Sequence, residues 1–169
     1  ALKAIEFPNV QSVQIIFNLF RQRPAELFFQ QAKLRKVGIL ARVPLSSGML
    51  TGKFSRDSRF DSDDHRAFNR KGEAFDRGET FSGVPYETGL KAVEELKKIC
   101  PPGVSLTQFA LRWILMYDAV TCAIPGAKRP TQAEENFSAA DLPAISGDVM
   151  KAARAIYEQH IQALVHHYW

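Results

Sequence analysis

The sequence predicts an α/β fold: the C-terminal part of a (β/α)8 TIM barrel, its last three βα units plus extra helices. Three observations carry this expectation. Short β-branched or apolar runs alternate with longer amphipathic stretches, the order of a parallel sheet with helical crossovers. Only three such short runs occur in the 169 residues, and an open parallel sheet of that size has two bare edges. A closed barrel takes about 250 residues. The chain is therefore read as one domain unit, 1–169, the C-terminal half of a barrel whose front half is missing.

The elements follow in order. Residues 1–6 (ALKAIE) read as the tail of a helix. Ser12 to Leu19 (SVQIIFNL) is rich in β-branched and apolar residues, the pattern of a buried strand. Pro24 opens a helix reaching about Lys36, and Val37 to Val43 forms a second strand stopped by Pro44. Residues 44–85 form a long polar connection of Gly, Asp, Arg and Phe, and a loop of that length inside a compact domain is usually functional. Tyr86 to Cys100 is a helix with Leu90, Val93 and Leu96 on one side, ended by Pro101-Pro102-Gly103. Leu106, Phe109, Ala110, Trp113, Ile114 and Tyr117 then fall on one helical face. A short strand over 120–124 leads into a helix over about 130–140. Val149, Ala153, Ile156, Tyr157 and Leu164 mark a final long helix.

The composition is globular, with 46% apolar and 24% charged residues. The net charge of +4 is spread among acids, so there is no basic stripe for nucleic acid. No apolar run approaches membrane-spanning length, and no membrane partner is expected. Cys100 and Cys122 both lie in apolar contexts, the usage of reduced thiols in a cytoplasmic protein. The adjacent His166 and His167 point apart on a helix, so no metal site is expected.

The most informative stretch is Ala123-Ile-Pro-Gly-Ala-Lys-Arg-Pro-Thr-Gln-Ala-Glu-Glu-Asn136. A strand runs into Pro-Gly, two cations follow, and Pro130 sits in the first turn of a helix, where its missing N–H costs nothing. Free helix amides, the positive helix end and the cations converge on one spot suited to a phosphate. Gln132, Glu135 and Asn136 share a face that can read a polar group beside it. Taken alone, the stretch is equally compatible with a solvated basic turn between strand and helix.

A second segment, Ile39-Leu-Ala-Arg-Val-Pro-Leu-Ser-Ser-Gly-Met-Leu-Thr-Gly-Lys-Phe54, resolves that ambiguity. Together with IPGAKRPTQAEEN (124–136) it resembles the aldo-keto reductase family, and residues 63–90 resemble the loop of a bacterial-type branch. The resemblance covers essentially the whole chain. It implies a barrel that reduces aldehydes and ketones with NADP, with NAD as the other possible cofactor. By resemblance Gln14 hydrogen-bonds the nicotinamide carboxamide. Arg42 stands where the family usually stacks an aromatic ring on the nicotinamide; a planar guanidinium can also stack, adding positive charge that favours the reduced ring, or it can pair with a neighbouring carboxylate. Leu45, Ser46, Ser47 and Gly48 match the loop whose amides and hydroxyls hold the pyrophosphate, and Lys53 a lysine beside the same phosphates. Gly126, Lys128, Gln132, Glu135 and Asn136 match the adenosine end, although many members carry Arg where Gln132 stands. Arg66 matches an arginine that folds over the cofactor. Phe60, Phe68, Phe75 and Phe81 either wall the site or pin the loop to the barrel.

The family's catalytic tetrad of Asp, Tyr, Lys and His lies on early strands that have no counterpart here, and no catalytic residue is assigned. Tyr86, Tyr117 and Tyr157 fall in expected helices. The expected function is the cofactor-binding half of an NADPH-dependent reductase acting on a small carbonyl substrate, partnered by the N-terminal half barrel. The alternatives are a non-catalytic nucleotide-binding subunit or a truncated fragment.

Overall fold

A computed structural model describes residues 1–168. Three strands, β1 (Ser12–Ile16), β2 (Gly38–Arg42) and β3 (Cys122–Ala123), form a parallel sheet in chain order. The helices are α1 (Phe28–Leu34), α2 (His65–Phe68), α3 (Tyr86–Ile99), α4 (Leu106–Leu115), α5 (Pro130–Ser138), α6 (Gly147–His160) and α7 (Gln162–Val165). In register, Gln14 pairs with Leu40 and Leu40 with Cys122, while Ile16 pairs with Arg42.

The sheet has two unlike faces. Because strand side chains alternate, Ile15, Ile39, Ala41 and Ala123 point one way and pack into the main apolar core. At its centre Phe17 stacks on Trp113 at 5.1 Å and meets Phe29 and Tyr117 edge-on at 4.7 and 4.9 Å. Trp113 and Ile114 come from the predicted face of α4 and are buried. That helix starts where a reciprocal cap fixes it: Ser105 Oγ accepts the Gln108 amide, and Gln108 Oε1 accepts the Ser105 amide. The other face carries Gln14, Leu40 and Cys122. Gln14 is exposed, and neither Leu40 nor Cys122 joins the core.

Several boundaries differ from expectation, each for a local reason. β1 ends at Ile16 because Asn18 and Arg21 close a tight turn through reciprocal backbone bonds, with Asn18 Oδ1 accepting the Phe20 amide at 2.8 Å; an Asn side chain competes with the ladder in this way. β2 ends at Arg42 because Val43 has a left-handed backbone (φ 52°). The helix expected from Pro24 is a 3-10 turn, Arg23–Ala25, and then α1, since Leu27 between them leaves helical geometry (φ −132°, ψ −46°). β3 is only two residues long, yet Thr121 N–H to Ile39 O and Ile124 N–H to Ala41 O extend its pairing. The final helix breaks at Ile161 (φ −118°), separating α6 from α7. The opening residues form one 3-10 turn, Ala4–Glu6.

The long connection is not structureless. It contains a 3-10 segment over Ser46–Thr51, α2, and two further 3-10 turns at Arg77–Glu79 and Phe81–Gly83. Phe60 and Phe81 pack with Phe54 and Tyr86 and anchor the loop. Phe68 and Phe75 meet edge-on at 6.0 Å but stay exposed. Phe60 and Phe81 thus take the pinning role, and Phe68 takes neither of the roles expected of the phenylalanines.

Candidate functional site

The ends of β2 and β3, the loop and α5 enclose a trough of about 910 Å³, the size of a pocket for a small ligand or cofactor. It lies just past the C-terminal ends of the strands, the rim where barrel sites form. Leu45, Ser47, Gly48 and Lys53 line its floor side, Arg66 comes from the loop, and Gly126, Lys128, Gln132, Glu135 and Asn136 form the opposite wall. The fold therefore brings together residues 90 positions apart in the chain that the sequence had nominated separately.

Three nominated residues do not line the trough. Gln14 is the central residue of β1 and sits on the exposed sheet face, not at the strand's end. Ser46 is wholly buried beneath the turn, where its hydroxyl accepts a hydrogen bond from Ser82 Oγ at 2.9 Å. Its hydroxyl therefore does not reach the trough, and only its backbone shapes the floor. Arg42 is gripped by the Glu79 carboxylate through two bonds, at 2.5 and 3.0 Å. Of the two arrangements open for Arg42, the structure shows the carboxylate pair. That pairing offsets the positive charge expected beside an oxidised ring.

The α5 wall is built by its own turn. Gln132 Oε1 accepts the backbone amides of Lys128 and Arg129 at 2.8 and 3.2 Å, and Asn136 Nδ2 donates to Gly126 O at 3.4 Å. Glu135 accepts Ser105 Oγ at 2.7 Å, tying α5 to the start of α4. On the floor, Ser47 Oγ donates to Glu79 O and accepts the Phe81 amide. Gly48 is required there: its φ is 92°, and a Cβ would stand 3.0 Å from the Phe54 ring.

Asp64 pairs with Arg66 and Glu79 with Arg42, while Glu135 accepts a hydroxyl and keeps its charge. Among the described residues, Lys53 and Lys128 have no ion-pair partner, so even with Glu135 the unpaired charge of the trough is net positive. Arg66 lies 4.6 Å over the Phe60 ring, a cation–π contact. The Arg66 guanidinium's hydrogen bonds lower the Asp64 carboxyl from 3.8 to about 2, while the same pair raises Arg66.

A pH dependence follows. A depressed folded-state value stabilises the protein above the unfolded value and is lost as pH falls through the folded one. The Asp64–Arg66 contribution is thus complete above pH 3.8 and fades toward about 2. Wild type should exceed Asp64→Asn in stability at neutral pH and lose that advantage near pH 2, as read by denaturant midpoints across an acid series. A pH-independent difference would contradict the assignment.

Phe75, expected to wall the site or pin the loop, lines the trough; Asp64, His65, Glu79 and Thr107 also line it and were not nominated from the sequence. Asp64 was detectable as a helix cap two residues before Arg66, since its carboxylate accepts the Arg66 amide at 2.8 Å. Glu79 left no local signal, because its partner lies 37 residues away. No group of three or more potential metal ligands occurs among the described residues. None of their helices is long and apolar enough to cross a membrane.

Comparison with known proteins places this geometry. The profile of the aldo/keto reductase family matches residues 2–158. The L-glyceraldehyde 3-phosphate reductase of Escherichia coli is 38% identical over 61% of this chain and 28% of its own length. Aldo-keto reductase YhdN of Bacillus subtilis is 31% identical over 74% of this chain and 36% of its own. The solved glycerol dehydrogenase of Gluconobacter oxydans superposes with a TM-score of 0.73 at 28% identity, covering 89% of this chain and 43% of that one. The chain thus spans less than half the length of these relatives.

Proposed function

The chain belongs to the aldo/keto reductase family, and from that premise we propose that its trough seats NADPH for the reduction of aldehydes and ketones. The observation that carries this reading is the arrangement of open cations around a strand-end trough. Lys53 and Lys128 line it without ion-pair partners among the described residues, while two of its three carboxylates, Asp64 and Glu79, are ion-paired. The bound nicotinamide supplies hydride to the carbonyl carbon.

The chain's own residues bind and orient. The turn over residues 45–48 approaches the pyrophosphate with its backbone, and Lys53 adds charge beside it. Lys128, with Arg129 next to it, meets the 2′-phosphate; Gln132, Glu135 and Asn136 face the adenosine. Arg66, folded back on Phe60, covers the trough from the loop side. Arg42 lies outside the trough lining and acts there through Glu79, whose carboxylate it neutralises. Gln14 stands on the open sheet face with Leu40 and Cys122, the face that further barrel strands would enclose. On this reading residues 1–169 are the C-terminal half of the barrel and 44–85 its cofactor and substrate loop. The N-terminal half barrel is the partner that brings the tetrad. The two free cysteines suit a reducing compartment such as the cytoplasm.

The test is a cofactor comparison. A charge-assisted hydrogen bond to phosphate lost in Lys128→Ala should raise the NADPH dissociation constant roughly tenfold, with little change for NADH. Equal losses for both cofactors would show that Lys128 does not read the 2′-phosphate. No binding of either cofactor by the wild type would overturn the reading itself.

A further inference from the structure

Two stretches of left-handed backbone lie side by side beneath the trough. Ser46, Ser47 and Gly48 have φ of 49°, 54° and 92°, and Phe81, Ser82 and Gly83 have φ of 49°, 57° and 77°. Val43 joins them at φ 52°. Glycine adopts this region freely, whereas for a β-branched residue it is an outlier. A following proline, here Pro44, further favours extended backbone for Val43. Such conformations persist only where the surrounding structure imposes them, and they gather at functional sites.

The group that ties these stretches together is Asn18, wholly buried behind the trough. Its Nδ2 donates to Val43 O at 2.8 Å and to Ser82 Oγ at 2.9 Å. Its Oδ1 accepts the Phe20 amide at 2.8 Å. That bond fixes which end is the amide, since only the oxygen accepts. Ser82 in turn donates to Ser46 Oγ at 2.9 Å. One carboxamide thereby joins the turn after β1, the strained end of β2 and the loop over residues 81–83.

We propose that Asn18 is a positioning residue for the cofactor turn: through Val43 and Ser82 it holds Val43, residues 46–48 and residues 81–83 in the left-handed backbone that shapes the trough floor. Asn18 acts through these neighbours and does not line the trough. The proposal rests on the cofactor-binding reading above.

Asn18→Asp tests it, because the carboxylate keeps the shape but turns an acceptor toward Val43 O. In the 169-residue chain, amide hydrogen exchange should accelerate at 43–48 and 81–83 while α4 and α6 keep their protection. Losing the positioned floor should raise the NADPH dissociation constant roughly tenfold, the loss of about one net hydrogen bond's worth of binding. Adding Val43→Gly, which removes the penalty at a left-handed φ, should recover most of that affinity. A purely structural role would not be rescued by deleting a second side chain. Unchanged exchange at both segments, unchanged NADPH affinity, or a folded double variant with no recovery would each overturn the proposal. If Asn18→Asp does not fold, Ser82→Ala breaks the same relay from the loop side and must accelerate exchange at 43–48; its failure to do so is equally decisive. A wild type that binds no NADPH, with Asn18→Asp still accelerating exchange at both segments, would refute the cofactor reading, and with it the positioning role.

Discussion

Purified alone, the 169-residue chain is expected to reduce no aldehyde, even where it binds NADPH. A carbonyl oxygen gains negative charge as hydride arrives, and it needs a proton donor and electrostatic support at that moment. Among the described residues no tyrosine lines the trough. Tyr86 Oη donates to Ser55 O at 2.8 Å, Tyr117 is packed in the aromatic core, and Tyr157 Oη bonds His166 Nδ1 at 2.8 Å. Burial raises the hydroxyls of Tyr117 and Tyr157 above the ordinary phenol range, making them poorer acids. A missing general acid alone lowers the rate roughly 10²–10⁴-fold. The check is NADPH oxidation with a nitrobenzaldehyde, using a sample of verified mass free of host reductases. Turnover at normal enzymatic rates would overturn the division of labour proposed between this chain and an N-terminal half barrel. Binding without turnover that persisted when such a half was supplied would favour a non-catalytic nucleotide-binding subunit.

Phe17→Ala should be the most damaging single truncation outside the trough. Phe17 is fully buried where the chain leaves β1. Its ring is shared among Phe29 of α1, Trp113 of α4 and Tyr117, with centroids 4.7–5.1 Å away. Deleting it removes transfer free energy and leaves a void bounded by rings on separate elements, which cannot all close in together. Phe-to-Ala changes in such cores cost about 3–5 kcal/mol, a large share of the roughly 5–15 kcal/mol that holds a domain folded. The denaturant midpoint should fall sharply with an unchanged slope. A loss below about 1 kcal/mol, typical of surface changes, would show that this cluster is not the centre of the core.

The parts legible in the sequence were those governed by periodicity and local chemistry. The apolar spacing of Leu106, Phe109, Ala110, Trp113 and Ile114 located α4 and its buried face. Pro130 and the residues around it located the start of α5, and the three apolar runs located a parallel sheet in chain order. The floor of the trough was less legible. Left-handed backbone is ordinarily flagged by glycine, and here Gly48 and Gly83 flag only the last residue of each triplet. Ser46, Ser47, Phe81 and Ser82 adopt it because tertiary hydrogen bonds impose it, and residue-by-residue preferences do not register such bonds. Asn18 reads from the sequence as part of the strand Ser12 to Leu19, whereas it closes the turn with Arg21. Its bonds to Val43 and Ser82 span 25 and 64 residues. The pairing of Arg42 with Glu79 was open for the same reason, since either arrangement satisfies a guanidinium and only the folded loop selects one.

The central claim is that the trough between the loop and α5 holds a nicotinamide dinucleotide with its pyrophosphate on the 45–48 turn. A crystal structure grown with NADP+ tests it most directly. The expected result places the pyrophosphate within hydrogen-bond reach of the Ser47 and Gly48 backbone, the 2′-phosphate beside Lys128, and the adenine against Asn136. Ordered NADP+ bound elsewhere on the chain, or a trough that stays empty of NADP+ at saturating concentration, would contradict the account.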